Sequence, residues 1–394
     1  MTQVFGYICW MAKLKKQVDK RVAAKSSKQS DSTPHHDADD DVGTDPVSPL
    51  GIFGLETNAA DAKIHLLPIP WEVTTSYGRG ASFGPAAILR ASRQVDLFDF
   101  ETGDAWKVGY FMHPISADWM KKNRLLKEKA QERLEFIEAG EESESSASMR
   151  DEINGASSEL NAWVTSEAEK SLNDGKIVGV IGGDHSSPFG LVDAVSRKFQ
   201  GDFGILHFDA HADLRASYQG YENSHASIMH NVIEKLKPRV LVQVGIRDFC
   251  REEYDYSEAR RSLSGEVGSG RIVTHYDRTM KKRLFAGENF DSIIKTVLAD
   301  LPKNVYVSFD IDGLDPALCP STGTPVPGGL SFDQATAILA ALGESGRRIV
   351  GFDVNEVSEP ALGESEWDAN VGARLLFKLC GWTAVTNGLS ERVK

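Results

Sequence analysis

Short apolar runs recur along this chain from residue 63 onward, and their hydrophobic residues are nearly continuous rather than alternating with polar ones. The runs cover residues 64–69, 177–181, 203–208, 240–244, 272–274, 305–309 and 349–354. Runs of this length and composition are typical of strands that are buried on both faces. Helix-favouring segments lie between several of them, for example at 188–199 and 332–342. This alternation predicts an α/β fold in which helices cover both faces of a parallel sheet.

A charged, helix-favouring stretch at 117–172 interrupts this alternation, and a polar segment at 140–148 divides it in two. We interpret the stretch as a surface helical insertion within a single domain that spans residues 51–394. The residues before that domain, 1–50, are rich in Ser, Asp and Pro from about residue 24. Such a composition offers too little apolar surface for a core, so we predict a disordered, acidic and polar N-terminal extension.

The composition narrows the classes of function. The formal net charge is -13 with no long basic stripe, which argues against a nucleic-acid partner. The four cysteines are widely spaced, so we expect neither a disulfide framework nor a zinc ribbon, and we predict a reducing, cytoplasmic setting. No apolar run approaches 18 residues, and the first lysines follow the apolar start of the chain instead of preceding it. The sequence therefore predicts neither a membrane span nor a secretory signal.

Acids and histidines follow four of the predicted strands at the point where each strand ends. They are His185 after the second run, Asp209, His211 and Asp213 after the third, Asp310 and Asp312 after the sixth, and Glu356 after the last. Because open parallel sheets bind ligands beyond the carboxyl ends of their strands, we expect all seven at one edge of the sheet. The spacing of two residues within 209–213 and within 310–312 also turns these side chains the same way in extended backbone.

Any one of these motifs is also compatible with a carboxylate that caps a helix or with a hydrogen-bonded loop histidine. Together they indicate a metal site, because so many buried acids need a compensating cation. Carboxylates and imidazoles suit manganese, nickel or iron better than a metal that prefers thiolates. Six such ligands are enough for two divalent ions, and a pair of ions points to hydrolysis.

The segments that carry these residues resemble those of the ureohydrolase superfamily, which includes arginases, agmatinases, formimidoylglutamases and guanidinobutyrases. The resemblance lies in residues 182–186 (GGDHS), 208–213 (FDAHAD), 308–316 (SFDIDGLDP), 322–331 and 353–357 (DVNEV). It covers the chain from about residue 62 to the end, apart from the helical insertion. It implies a three-layer α/β/α arginase-like fold with a parallel sheet of about eight strands, and assembly into homotrimers or homohexamers.

The resemblance also implies how the metal ligands divide. One ion would be held by His185, Asp209, Asp213 and Asp310, and the other by His211, Asp209, Asp310 and Asp312, with Asp209 and Asp310 as bridges. Water activated by the two ions would attack the guanidinium carbon, and urea would leave together with an amine or ammonia. The type of ligand does not separate nickel from manganese.

Three residues are assigned to catalysis by the same resemblance. His225 matches a proton-shuttling histidine, and a pKa near neutrality suits that role. Glu356 matches the glutamate that pairs with the planar guanidinium group, and Asp213 is assigned to catalysis as well as to the metals. The alternatives are a surface loop histidine at 225 and a structural ion pair at 356. Asp184 and Asp315 are expected to support the ligands rather than to bind the ions.

The substrate is less closely defined. Residues 70–78 and 224–229 most resemble the guanidine hydrolases, which cleave free guanidine to urea and ammonia, prefer nickel and share a long N-terminal extension. We assign Trp71, Tyr218 and Thr324, with Glu356, to the binding of a small cationic guanidino substrate, and the alternative for the two aromatic residues is that they serve in packing. Arginine is disfavoured because residues 214–223 lack the polar pattern of arginases. The alternatives are agmatine or guanidinobutyrate and, because of Arg215, formimidoylglutamate.

Two other classes of protein are also weighed. A zinc-dependent deacetylase shares the broad fold but uses one metal, and the complete set of six ligands argues against it. A catalytically silent arginase-like binding protein would have lost ligands, and none is missing here. The sequence therefore predicts a hydrolase with two divalent ions per chain, nickel or manganese, and a metal-loading accessory protein is considered as a further partner.

Overall fold

The computed structural model describes residues 51–75, 77–141, 143–359 and 366–393. The N-terminal extension predicted at 1–50 lies outside the described residues. Eight parallel strands form one sheet in the order β2-β1-β3-β8-β7-β4-β5-β6. The strands are β1 (Ile64–Pro68), β2 (Tyr110–Met112), β3 (Ile177–Ile181), β4 (Gly204–Phe208), β5 (Val240–Val244), β6 (Arg271–His275), β7 (Asn304–Asp310) and β8 (Arg348–Asn355).

The sequence therefore predicted the sheet class and seven of the eight strands within a residue or two. The exception is β2, which is only three residues long and lies at the edge of the sheet. A run of three residues is at the limit at which pattern separates a strand from a loop: the run at 272–274 was recognised and this one was missed. The expectation of a parallel α/β fold with about eight strands is confirmed.

Helices lie on both faces of the sheet, which gives the predicted three layers. They are α1 (Gly84–Ser92), α2 (Ala117–Ala139), α3 (Glu144–Asn173), α4 (Phe189–Phe199), α5 (Ile228–Asn231), α6 (Arg251–Arg260), α7 (Asp277–Phe285), α8 (Phe290–Leu298), α9 (Phe332–Glu344) and α10 (Trp367–Thr386). Several begin where a side chain accepts a backbone N–H. Ser331 caps α9 in a capping box with Gln334, and Asn289 caps α8.

Each face of the sheet has its own hydrophobic core. On one face α1, α8, α9 and α10 pack over residues such as Leu206 and Phe208 of β4. On the other face α2, α3, α4 and α5 pack over residues such as Ile205 of the same strand. Neighbouring residues of a strand point to opposite faces, so a nearly continuous apolar run fills both cores.

The segment predicted as a surface insertion contributes to the second of these cores. Its two helices, α2 and α3, are separated at 140–143, inside the interruption that the sequence indicated. Helix α3 buries one face, including Ile153, Leu160 and Val164, against the sheet and α4, and it leads directly into β3. It is therefore more than a surface feature, because it forms the crossover between β2 and β3. Within the described residues, no helix is both long and apolar enough to cross a membrane.

Candidate metal centre and active site

The four strands that end in the predicted site residues are neighbours in the sheet although they are far apart in sequence. Strands β3, β8, β7 and β4 occupy consecutive positions, so the loops after them meet at one edge. This is the place where open parallel sheets bind their ligands. The sheet order thus brings together residues that span 172 positions of sequence, from His185 to Glu356.

Three carboxylates converge on one nitrogen of His185. The Nδ1 atom of His185 lies 3.0 Å from Asp209 Oδ2, 3.0 Å from Asp213 Oδ2 and 3.4 Å from Asp310 Oδ2. All four side chains are buried. These four residues are the ones that the family resemblance assigns to the first ion, and their roles as ligands stay predictions.

A second group forms around His211, which is partly exposed. Its Nδ1 lies 3.0 Å from Asp312 Oδ2 and 3.5 Å from Asp209 Oδ1. Asp209 therefore offers one oxygen to each group, as expected of a residue that bridges two ions. Two sets of residues could each hold a cation, because within each set the donor atoms all lie within 4.8 Å of one another. The first set is His185, His207, Asp209 and Asp213, and the second is Asp209, His211 and Asp312.

These sets differ from the sequence-based assignment in two respects. They include His207, which the sequence analysis did not assign, and they do not include Asp310. Asp310 still lies beside both groups, through its contact with His185 and through the Asp312 backbone N–H that its carboxylate accepts at 2.9 Å. The roles of the six predicted ligands stay predictions at the level of individual bonds.

The electrostatics of the cluster favour a bound cation. Burial, followed by the charges of Asp312 and Asp209, raises the pKa of Asp310 well above its usual range. Burial and the charge of Asp209 also raise the pKa of Asp213 to about 6. Acids that raise one another's pKa in a dry site are stabilised in their charged form by a positive ion. The donor set of carboxylate oxygens and imidazole nitrogens therefore fits divalent metals of the manganese and nickel type.

Asp213 and Glu356 share an unusual backbone conformation. Their φ angles are 54° and 60°, in the left-handed region that residues with a side chain seldom adopt. The strain is held by hydrogen bonds, since the Asp213 carbonyl accepts the His230 N–H at 3.0 Å and the Glu356 N–H donates to Gly183 at 2.8 Å. Strained residues cluster at functional sites, and both of these were predicted to be catalytic.

The Glu356 carboxylate is buried beside the metal ligands. Its Oε1 accepts the backbone N–H of His185 at 3.0 Å, which ties the substrate-binding candidate to the first metal group. Burial, followed by the charge of Asp184, raises the pKa of Glu356 well above its usual range. A carboxylate in this state is stabilised by a cationic partner, and a guanidinium is one. The Thr322 hydroxyl donates to the Glu356 carbonyl at 2.9 Å and fixes the neighbouring loop.

His225 lies in a short 3-10 turn, His225–Ser227, and is half-buried. Its Nδ1 is 3.4 Å from the hydroxyl of Thr74, and its ring meets the ring of Tyr218 edge-on at a centroid distance of 5.5 Å. Desolvation, followed by the charge of His211, lowers the pKa of His225 to about 3. The ring is therefore neutral at pH 7, and its pKa lies well below the near-neutral value that suits a proton-shuttling histidine, so that role stays a prediction.

The loop that carries Thr74 is fixed from helix α2. The Lys127 ammonium donates to the carbonyl of Glu72 at 2.9 Å and to the carbonyl of Thr75 at 2.7 Å, and it also contacts the Thr75 hydroxyl. The Asn123 side chain accepts the Glu72 N–H at 2.7 Å. The helical segment 117–139 thus reaches the surroundings of His225, which its charged composition did not indicate.

The predicted pocket residues fall into different environments. Tyr218 lies against His225, and Thr324 is half-buried on the loop after Thr322. Trp71 is fully buried, and its ring packs edge-on against Trp119 in the second core. The structure therefore places Trp71 in the packing beneath the site, not on an accessible wall.

The structure also places Arg215 and Asp184, which the sequence analysis discussed outside the six metal ligands. Arg215 lies 3.5 Å from Glu253 and stacks over Tyr218, so it has a structural partner. Asp184 Oδ1 accepts the N–H of Ser186 at 2.9 Å, which shapes the loop around His185 as expected of a supporting residue.

The residues that sequence reasoning missed lie inside the strands. His207 on β4, Ser308 on β7 and Asp353 on β8 are buried polar residues within otherwise apolar runs. Ser308 contacts His185, and His207 contacts Asp209. The signal available in the sequence was a polar residue two or three positions before the first assigned site residue of each strand end: His207 before Asp209, Ser308 before Asp310 and Asp353 before Glu356.

The structure is thus a parallel α/β/α domain whose strand ends carry two acid–histidine groups that could hold metal ions. The chain belongs to the arginase family, whose family model matches residues 62–381. The resemblance to ureohydrolases is therefore confirmed, and the protein is an arginase-family hydrolase.

Similar proteins carry related names. The chain is 33% identical over 344 residues to the N(1)-aminopropylagmatine ureohydrolase of Thermus thermophilus, covering 86% of this chain and 97% of the relative. It is 31% identical over 331 residues to the agmatinase of Cronobacter sakazakii, covering 84% and 90%.

Solved structures support the fold. An agmatine ureohydrolase of Thermoplasma volcanium matches with a TM-score of 0.61 at 23% identity, covering 84% of this chain and 93% of that one. An arginase from Medicago truncatula matches with a TM-score of 0.60 at 24% identity, covering 82% and 87%. The prediction of free guanidine as the substrate is not supported by these relatives, and the alternative of an agmatinase fits them better.

Proposed function

We propose that this protein is a binuclear metal ureohydrolase that cleaves a linear guanidino compound with an amine tail, of the agmatine or aminopropylagmatine type, to urea and the corresponding amine. The observation that best supports this two-metal reaction is the position of Asp209. Its two oxygens face two separate groups of donors, one around His185 and one around His211. A carboxylate shared in this way suits a pair of cations that act on one substrate atom.

The choice of substrate is supported by the named relatives. The proteins at 31–33% identity over most of the chain are named for agmatine or aminopropylagmatine. The predicted guanidine hydrolase activity is thus placed second, and the substrate panel below separates the two.

The groups of this chain divide the work as follows. Divalent cations held by His185, His211 and the neighbouring aspartates would act as Lewis acids and would make water nucleophilic at neutral pH. The buried carboxylate of Glu356 faces the guanidinium and orients its carbon. His225 is neutral, and it takes up a proton and delivers it to the leaving nitrogen.

The test is urea release by purified protein that has been loaded separately with manganese and with nickel. The substrates are agmatine, N(1)-aminopropylagmatine, guanidinobutyrate, arginine and guanidine, with formimidoylglutamate followed through formamide. We expect the highest kcat/KM with agmatine or aminopropylagmatine, and no urea from the matched variant Asp209→Asn. Urea from guanidine alone would refute the proposed tail. Absence of product from every substrate, with two metals bound, would refute the proposed reaction.

The metal and the assembly belong to the same proposal. The donor set suits manganese and nickel alike, so the comparison of the two loaded forms decides between them. Assembly into trimers or hexamers, a metal-loading accessory protein and a cytoplasmic location stay predictions.

A further inference from the structure

One register row of polar side chains crosses five adjacent strands of the sheet just before the strands end at the metal centre. The row consists of Asp353 on β8, Ser308 on β7, His207 on β4, Gln243 on β5 and Thr274 on β6. Each residue is paired in register with the next, so all five point to the same side of the sheet. We call this set the polar row. Except for the half-buried Thr274, its members are at most 1% exposed.

The hydrogen bonds on one side of the polar row fix the proton of His207. The Gln243 amide nitrogen lies 2.8 Å from the carbonyl of Ala212, which can only accept, so this end of the amide is its NH₂ group. The same nitrogen lies 3.1 Å from His207 Nδ1 and donates to it. The Thr274 hydroxyl donates to the other end of the amide, Gln243 Oε1, at 3.0 Å.

These hydrogen bonds also determine how His207 contacts the metal ligand Asp209. Because His207 Nδ1 accepts a hydrogen bond, the proton of the neutral ring is on Nε2. That nitrogen lies 2.8 Å from Asp209 Oδ2 and donates to it. A ring nitrogen that carries a proton has no lone pair for a metal. His207 is thus a donor to a metal ligand, although its position within the donor set would also allow direct coordination.

The other side of the polar row fixes the proton of His185 with the opposite result. The Ser308 hydroxyl donates to Asp353 Oδ1 at 2.9 Å, so the Ser308 oxygen accepts from His185 Nε2, which is also 2.9 Å away. Asp353 Oδ1 further accepts the N–H of Phe309 at 3.1 Å, which holds it as an acceptor. His185 Nδ1 is left with its lone pair, and it is this atom that faces Asp209, Asp213 and Asp310.

We propose that the polar row assigns different roles to the two buried histidines of the first metal group. His185 is set as a metal ligand through Nδ1, and His207 is set as a positioning residue that holds Asp209 through Nε2–H. Gln243 and Thr274, which touch no metal ligand, determine the orientation of His207. The inference rests on the metal site of the proposed function, but it concerns metal affinity and can be tested without turnover.

The test compares His207→Gln with His207→Leu. A glutamine amide reaches about as far as Nε2 and can donate to Asp209, whereas leucine cannot. Manganese stoichiometry and affinity are measured by competition with a chelator on the full chain, with thermal unfolding to verify the fold. Loss of a residue that orients a metal ligand costs about 10–100-fold in metal affinity, and we expect that loss for leucine and a loss of at most about 3-fold for glutamine.

Gln243→Leu and Thr274→Val are a second, independent pair that leaves every metal ligand in place. We expect a loss of about 10-fold in metal affinity for Gln243→Leu. We expect a smaller loss for Thr274→Val, which removes only the hydroxyl that donates to Gln243. Val replaces Thr at a half-buried edge position, so this variant keeps the inference testable even where a change at His207 prevents folding.

Two results would overturn the proposal. Equal losses in the glutamine and leucine variants, with one ion missing and the fold intact, would make His207 a direct ligand. Unchanged affinity in His207→Leu, or in both Gln243→Leu and Thr274→Val, would reduce the polar row to packing. Urea release from the same samples separates this inference from the proposed function. A protein whose metal affinity follows the expected series but that releases no urea supports the polar row and refutes the reaction.

Discussion

Lys127 is expected to control turnover from a position outside the metal centre. Its ammonium group holds the backbone of Glu72 and Thr75. Thr74, one of the two residues between them, places its hydroxyl 3.4 Å from His225 Nδ1. The change to test is Lys127→Met, which keeps the length of the side chain and removes the three donors. The loop then loses its tie to helix α2, while both metal groups keep all their residues.

The magnitude follows from the contacts. A hydrogen bond that involves a charged group contributes about 1.5–3 kcal/mol. Lys127 is half-buried, so the lower end of that range applies to the set of contacts as a whole. If the loop transmits about 1.4 kcal/mol of this to the position of His225 in the transition state, kcat falls about tenfold. We expect KM to change less, because Glu356 and the metal groups remain in place.

The assay is steady-state urea release together with metal analysis. Lys129→Met is the matched control, since Lys129 lies on the same helix but pairs with Glu152 on α3 and does not contact the loop. We expect full kcat for the control and two ions per chain in both variants. An unchanged kcat in Lys127→Met would refute the idea that the contacts of Lys127 with Glu72 and Thr75 position His225. Loss of metal from Lys127→Met would show that the helix acts on the ligands and not on His225.

Three further outcomes follow from the structure. Asp209→Asn should remove both ions, because Asp209 belongs to both donor groups, whereas Asp312→Asn should leave about one ion per chain; metal analysis distinguishes the two. His225→Ala should lower kcat about 10²–10⁴-fold with both ions retained, as expected for loss of a proton-transfer group outside the donor sets, and loss of metal would contradict this. Gly155→Ala should raise the free energy of unfolding by about 0.5–1 kcal/mol without changing kcat, because Gly155 lies inside α3 with open space at its Cβ position; a lower melting temperature would contradict this.

Much of the fold and of the site could be predicted because both depend on local pattern and on one topological rule. Apolar runs of three to six residues marked the buried strands, and the rule that ligands bind at the carboxyl ends of parallel strands placed His185 and Asp310 together. The sequence could not show which strands are neighbours. That β8 lies between β3 and β7, and so brings Glu356 to the ligands, depends on packing between distant segments.

Other features escaped prediction for different physical reasons. The left-handed backbone at Glu356 has no signal in residue type, since glycine, asparagine or aspartate would be expected there, and the aspartate at 213 is compatible with that conformation without predicting it. The contacts of Lys127 join positions about 50 residues apart, which no local pattern reveals. The charged composition of its helix predicts a solvent-exposed surface instead. Trp71 was assigned to the pocket as an aromatic residue that could close around a small cation, with packing as the alternative, and a large aromatic side chain gains much by the complete burial it has in the core.

The polar row bears on why the core of this sheet is interrupted where it is. Burying polar groups is costly unless each is hydrogen-bonded, and a core could be filled more simply with valine and isoleucine. In this sheet five adjacent strands, β8, β7, β4, β5 and β6, each place a polar side chain at one shared register, next to the strand ends that carry the ligands. A cluster of acids that served only to stabilise the fold would need counter-charges but no defined tautomers. Donors that fix the proton on each of two adjacent histidines are useful where one lone pair must face a cation and the other must not. The polar row thus supports the same conclusion as the strand-end motifs, namely a metal site at this edge of the sheet. It does so through residues that are not themselves assigned as metal ligands or as substrate contacts.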